Sequence, residues 1–205
     1  QRRVRSLKEL PLKPHLSTEY IERFGVRGVT RYPLTTGEII YRIPVHSFPM
    51  GSWKDHWTST YLVLSRHAAT LVDTGTHRSE ESMREGFEVV REFYGEQVSL
   101  EQLDHIVITH AHFDHFGGLA YALQASGATL HVHEWDAGTI ANYPEEVAKG
   151  RERIRHFLHQ SGMPGDQIET FMKMHGEPKR AFPGHPVSDA FADGARIIEG
   201  FEVIH

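Results

Sequence analysis

The chain has 205 residues, 39% hydrophobic and 24% charged, which suits one domain of ordinary size, or a large part of a bigger one, with enough apolar side chain to bury a core. A formal net charge of -5 leaves no basic footprint for nucleic acid, and no such partner is expected. There is no cysteine, which excludes disulfides, thiolate ligands and a cysteine nucleophile; any metal must be held by nitrogen and oxygen. No run of about 18 apolar residues reads as a membrane span and no signal-peptide pattern is visible, so a cytoplasmic home with no membrane partner is the default expectation. The compositional outlier is histidine, at 16 residues. Scattered histidines are usually surface or polar-core residues, and only a cluster at ligand spacing says more.

The basic head "QRRVRSLK" reads as a frayed terminal segment, and a proline-containing lead, "KELPLKPHL", follows it. "GEIIYRIPV" and "STYLVLSRHAATLVDTG" read as strands, the second folding back on itself at "SRHA" and leaving sharply at Asp73-Thr74-Gly75. A helix is predicted over about 79–94, with Met83, Phe87, Val90 and Tyr94 at helical spacing, Ser79 as N-cap and Gly95 at the C-terminal glycine position. Ser99 and Gln102 offer a capping box for a short helix, after which "HIVITH" is a continuous apolar run of the kind found in a strand buried on both faces. "GGLAYALQASG" predicts a short helix with Leu119, Ala120 and Leu123 inward, ended by Gly127, and "ATLHVHE" predicts the next strand. This alternation is that of an α/β domain with helices covering a sheet.

From about residue 141 the character changes. "PEEVAKGRERIRHFLHQSG" places Pro144 near N1 and Val147, Arg151, Ile154 and Leu158 on one stripe, and "GDQIETFMKMHG" opens with Asp166 and Glu169 as a second capping box. The loop "GEPKRAFPGHPVSDAFADG" separates these helices from "ARIIEGFEVIH", which reads as a strand pair. Residues 141–190 are read as a helical insertion lying over the sheet.

The chemistry concentrates in "THAHFDHFGG", residues 109–118. His110 and His112 stand two apart at a strand end, and both can turn to one point only where the chain leaves regular pleating. Asp114 and His115 follow in the loop that opens the next helix. One loop can therefore present two imidazoles to one cation while Asp114 and His115 face a second. Imidazole with carboxylate suits zinc, and also iron or manganese. A site at the C-terminal end of a buried strand agrees with where open α/β sheets keep their ligands.

"THAHFDHFGG" resembles the signature of the metallo-β-lactamase fold hydrolases, and "TLVDTG" is similar to that family's upstream strand-and-turn motif. The resemblance covers residues 37–140 and implies a four-layer αββα sandwich with one or two metals between the sheets. Residues 1–36 then form an N-terminal extension, 37–140 the first part of the domain, 141–190 a helical cap and 191–205 the start of the second half. Carried onto this sequence, the resemblance makes His110 and His112 ligands of the first metal, and Asp114 and His115 ligands of the second. Asp114 also orients the attacking water as the catalytic residue, and Asp73 steadies the ligands from behind. It implies a zinc-dependent hydrolase acting on an ester, thioester, lactone or phosphoester-type small molecule. A di-iron redox enzyme or dioxygenase on the same fold, and a non-catalytic half-site serving as an interaction module, remain alternatives.

The family completes its site with later residues: a histidine in a "TPGHT"-like turn, a bridging aspartate and a terminal histidine. "FEVIH" resembles the strand before that turn, with His205 its last residue, so the expectation is the first half of a longer protein. Pairing with a C-terminal half, or homodimerisation, would then cover its bare sheet face. Pro183, Gly184 and His185 in "FPGHP" imitate the missing turn, which makes His185 a rival ligand, although an exposed loop histidine is the simpler reading. His131 and His133 read as alternate polar positions on a sheet edge. His56, Trp53 and Trp57 in "GSWKDHW" read as a plain surface loop or, alternatively, as a substrate-side loop whose aromatics supply apolar wall. The arginines of "RERIRHFLH" read as a solvated helix face.

Overall fold

The computed structural model describes residues 28–47, 56–176, 182–198 and 201–204. The basic head, Trp53 and His205 lie outside the described residues. One seven-stranded sheet runs in chain order: β1 (Thr30–Pro33), β2 (Ile39–His46), β3 (Trp57–Leu64), β4 (Ala69–Val72), β5 (His105–Ile108), β6 (Thr129–His133) and β7 (Asp189–Phe191). The first four strands pair antiparallel and β4 to β7 pair parallel. The helices are α1 (Glu80–Glu92), α2 (Phe113–Phe116), α3 (Leu119–Ser126), α4 (Glu134–Ala141), α5 (Tyr143–Gln160) and α6 (Gly165–Gly176). A two-stranded sheet of β8 (Arg196–Ile198) and β9 (Phe201–Glu202) follows, the strand pair expected of "ARIIEGFEVIH". The mixed α/β class is as expected; besides the large sheet, the described residues form the two-stranded β8–β9 sheet.

The pleat explains the core. Tyr41, Ile43 and Val45 of β2 share a face with Leu62, Leu71, Ile106, Ile108, Leu130 and Val132, by the strand registers, and all are 0% exposed. Against them pack Met83, Phe87 and Val90 of α1 and Leu119 and Ala122 of α3. Strand β5 is thus buried as its apolar run predicts. Helix α1 lies so close that a Cβ on Gly86 would come within 2.2 Å of Ile43 Cγ2, which is why a glycine sits mid-helix at a propensity cost of about 1 kcal/mol.

Local expectations needed correction at several points. β1 lies within the segment read as an extension and pairs along β2. Ser79 occupies the N-cap position of α1, but its hydroxyl donates to the His46 carbonyl (2.6 Å) and accepts from Thr76 N (2.9 Å), so it ties the helix start to β2 instead of capping. The Ser99 segment is a 3₁₀ turn, Leu100–Gln102, without a side-chain cap. In α3 Leu119 and Ala122 are buried and Leu123 packs against the core, whereas Ala120 is exposed, because residues 119, 122 and 123 form the inward stripe of the helix. Glu169 ion-pairs with Arg155 across the α5–α6 pair, so that arginine faces a partner helix. These two helices enclose their own small core of Leu158, Ile168 and Met172.

His131 and His133 are not edge residues. They are 5% and 4% exposed on β6, which lies between β5 and β7. His131 Nε2 meets His105 Nδ1 at 3.0 Å and its Nδ1 meets Asp189 Oδ2 at 2.8 Å, so burial is offset by hydrogen bonds on both ring nitrogens. The error came from β7, a three-residue strand hidden in a loop-like sequence, which turns an apparent edge into an interior position.

Candidate metal centre

Strands β4 and β5 run parallel and end side by side, so the turn 73–75 and the stretch 109–118 leave the sheet together. They are stitched to one another. Thr74 N donates to the His115 carbonyl (2.7 Å), Thr74 Oγ1 donates to the same oxygen (3.1 Å), and Gly118 N donates to the Gly75 carbonyl (3.1 Å). Tyr121 Oη donates to the Thr74 carbonyl at 2.6 Å. "VDTG" is thus the platform on which the histidine loop stands.

Asp73 takes the left-handed conformation, φ 62°, which aspartate tolerates better than most residues. This turn points its carboxylate, 4% exposed as a residue, at the base of the histidine cluster. Oδ1 accepts from Thr109 N (2.9 Å) and from Thr109 Oγ1 (3.0 Å), and Oδ2 stands 2.9 Å from the same hydroxyl and 2.7 Å from His115 Nδ1. Thr109 Oγ1 is in turn 3.0 Å from His110 Nδ1. Sequence reasoning did not single out Thr109. Its signal would have been the position itself, a short hydroxyl residue between a buried strand and the first histidine.

These partners fix the imidazole tautomers. An ionised carboxylate only accepts, so His115 Nδ1 carries a proton, and in the neutral ring Nε2 keeps its lone pair. The single Thr109 hydroxyl proton goes to Asp73, so His110 Nδ1–H donates into Thr109 Oγ1 and His110 Nε2 is also left unprotonated. That nitrogen lies 3.0 Å from His112 Nδ1. Two nitrogens bound tetrahedrally to one zinc stand about 3.3 Å apart, so a small opening of this pair admits the ion. His115 Nε2 lies 3.9 Å from Asp114 Oδ2, a second nitrogen-oxygen pair. The ring centroids of His110 are 4.5 Å from His112 and 4.1 Å from His115.

The electrostatics suit ligation unequally. Burial, and then the neighbouring His115 and His112, push the His110 pKa down and favour its neutral form. The hydrogen bond from His115 to Asp73 pulls its pKa up against burial, so a proton competes there with any cation. Among the described residues no group of three or more His, Asp or Glu side chains stands together as a complete metal cage. The four motif residues stand as two close pairs, and the donor set of imidazole and carboxylate is of the kind that suits zinc or another borderline divalent ion.

The other candidates are elsewhere. His185 is a half-buried loop residue whose backbone N–H donates to the Ile140 carbonyl (3.1 Å), and no described contact brings its ring to the motif histidines. Trp57 opens β3 and its ring stands edge-on to His46, with centroids 5.1 Å apart. His56 precedes it, half-buried.

With this geometry in view, the comparisons are specific. The family model described as the metallo-beta-lactamase superfamily matches residues 56–204, well over half of the chain. The chain belongs to the metallo-beta-lactamase superfamily. Among solved structures, BJP-1, a subclass B3 metallo-beta-lactamase of Bradyrhizobium japonicum, is 19% identical with a TM-score of 0.48, over 78% of this chain and 44% of that one. FEZ-1 from Legionella gormanii is 16% identical with a TM-score of 0.48, over 78% and 45%. MEM-A1, a subclass B3 enzyme from a soil metagenome library, is 21% identical with a TM-score of 0.45, over 78% and 46%. The chain thus spans a little under half the length of these structures. No curated protein matches it in sequence. No helix among the described residues is long and apolar enough to cross a membrane.

Proposed function

We propose that this protein is a metal-dependent hydrolase of small molecules carrying an ester, thioester, lactone or phosphoester bond. One observation carries the reading: Asp73 stands 2.7 Å from His115 Nδ1 and reaches His110 Nδ1 through Thr109 Oγ1, contacts that would leave both Nε2 atoms for a metal. His110 and His112 would hold one zinc ion and Asp114 with His115 a second. A divalent ion bound there supplies Lewis acidity and a nucleophilic water at neutral pH. The chain's own residues do the rest. Asp114, a half-buried carboxylate, would orient the attacking water. Asp73 and Thr109 keep both imidazoles from turning. His56 and Trp57 are proposed to line the substrate side.

The test is a panel of p-nitrophenyl esters, thioesters, lactones and phosphodiesters, assayed with zinc-loaded, chelator-stripped and His110→Ala protein. Turnover of at least one class that is lost on stripping, restored by zinc and absent in the variant supports the reading. Turnover that survives both stripping and His110→Ala rejects it.

A further inference from the structure

Phe182 follows the helical cap, far along the chain from the histidine loop, in a segment whose composition reads as exposed. It is 1% exposed. Its ring stacks on Phe113, with centroids 5.4 Å apart and planes at 28°, and lies 5.4 Å from His77, 6.4 Å from Phe116 and 6.5 Å from Tyr143. Phe113 stands between His112 and Asp114, and Phe116 directly follows His115. One ring therefore rests on both ends of the four-residue helix α2 that carries Asp114 and His115. The fit is close, since a Cβ on Gly117 would stand 2.5 Å from a Phe182 ring carbon.

The residues after Phe182 are fastened to a different element. His185 N donates to the Ile140 carbonyl at 3.1 Å, and a Cβ on Gly184 would stand 2.2 Å from the Ala141 carbonyl oxygen. The segment 182–185 is thus bolted to the C-terminal end of α4 while its phenyl ring bears on α2. A single helical turn has no stability of its own, because nucleation is paid before any propagation is gained. Asp73 and Thr74 hold the far side of this turn through His115. The side that carries Phe113 packs against the domain core and against the Phe182 ring.

We propose that Phe182 is a positioning residue for the metal-ligand turn, holding α2 so that Asp114 and His115 converge. The inference rests on the metal reading given above. It also makes the return from the helical cap part of the metal centre, so that displacement of this segment is transmitted to the ligands.

The experiment compares zinc affinity by competition with a chromophoric chelator, at a temperature where circular dichroism shows every protein folded. The proteins are the wild type, Phe182→Ala, Phe182→Met and Leu158→Ala. Leu158 is buried in the separate α5–α6 core, so its truncation destabilises the protein without touching α2. Residues that support ligands are worth roughly 10–100-fold in metal affinity. Phe182→Ala is expected to lose about tenfold or more on that scale, Phe182→Met several-fold, and Leu158→Ala nothing. Zinc affinities of the Phe182 variants within twofold of wild type overturn the inference, as does an equal loss in Leu158→Ala. If Phe182→Ala does not fold, Phe182→Met alone decides by the same criterion. A wild type that binds no zinc overturns the metal reading and this inference with it, an outcome distinct from zinc binding that is indifferent to Phe182.

Discussion

Asp73→Asn isolates the residue on which the ligand tautomers depend. Asparagine is isosteric and tolerates φ 62°, so the backbone is undisturbed. It offers one accepting oxygen and one donating NH₂ where the carboxylate offered two acceptors. If the NH₂ takes the Oδ1 place it meets the Thr109 N–H, now 2.9 Å away, donor against donor in a buried site. If it takes the Oδ2 place it meets His115 Nδ1–H, now 2.7 Å away, and the imidazole must move its proton to Nε2, the nitrogen needed for the metal. Either arrangement forfeits a hydrogen bond to a charged acceptor, worth about 1.5–3 kcal/mol. The loss of roughly 10–100-fold in metal affinity typical of such supporting residues corresponds to about 1.4–2.8 kcal/mol. The expected result is a 10–100-fold weaker zinc affinity and, separately, a metal-free protein whose melting temperature falls by about 2–4 °C per kcal/mol lost. Chelator competition and thermal melting read the two quantities. Zinc affinity within twofold of wild type would refute the claim that Asp73 sets the tautomers.

Four further outcomes are expected. His110→Ala removes one of the paired nitrogens and should abolish tight binding at the first metal position while leaving the far-ultraviolet circular dichroism unchanged, as zinc titration will show. Gly118→Ala places a Cβ 2.3 Å from the Thr74 carbonyl oxygen and should cost about 1–3 kcal/mol, the usual range for overpacking. Gly138→Ala, with nothing within 4 Å, should not lower the melting temperature in the same assay. Burial lowers the pKa of His185, so the unfolded chain takes up its proton first as pH falls through the ordinary histidine value. Stability is therefore lost on that side. The melting temperature of His185→Asn should fall less than that of wild type between about pH 7.5 and about pH 5, where imidazole titrates. Parallel curves would contradict this.

The centre of the site was legible because its residues are contiguous. "THAHFDH" follows a strand recognisable by its apolar run, and Asp73 lies in a turn marked by its glycine. What escaped depends on residues distant in sequence. Thr109 looks like an ordinary strand-end residue until the left-handed Asp73 aims a carboxylate at it. Phe182 sits among Pro and Gly, where composition reads as loop, and its burial arises from aromatic rings on α2 and α5. His131 and His133 looked like edge positions because β7 has only three residues, too few for any period to show. Helix α4 was missed for a similar reason, since "EWDAGTIA" has no amphipathic stripe and contains Gly138. Ser79, read as an N-cap, and Glu169, read as half of a capping box, have tertiary partners, a strand carbonyl and an arginine on the neighbouring helix, which local pattern rules do not see.

The measurement that bears most directly on the whole account is the metal content of the purified protein after equilibration with zinc and removal of unbound ion. It should be read by elemental analysis beside His110→Ala and His112→Ala. The account predicts at least one tightly held zinc per chain in the wild type and its loss in both variants. A wild type without bound zinc, or variants that keep as much as the wild type, would contradict it.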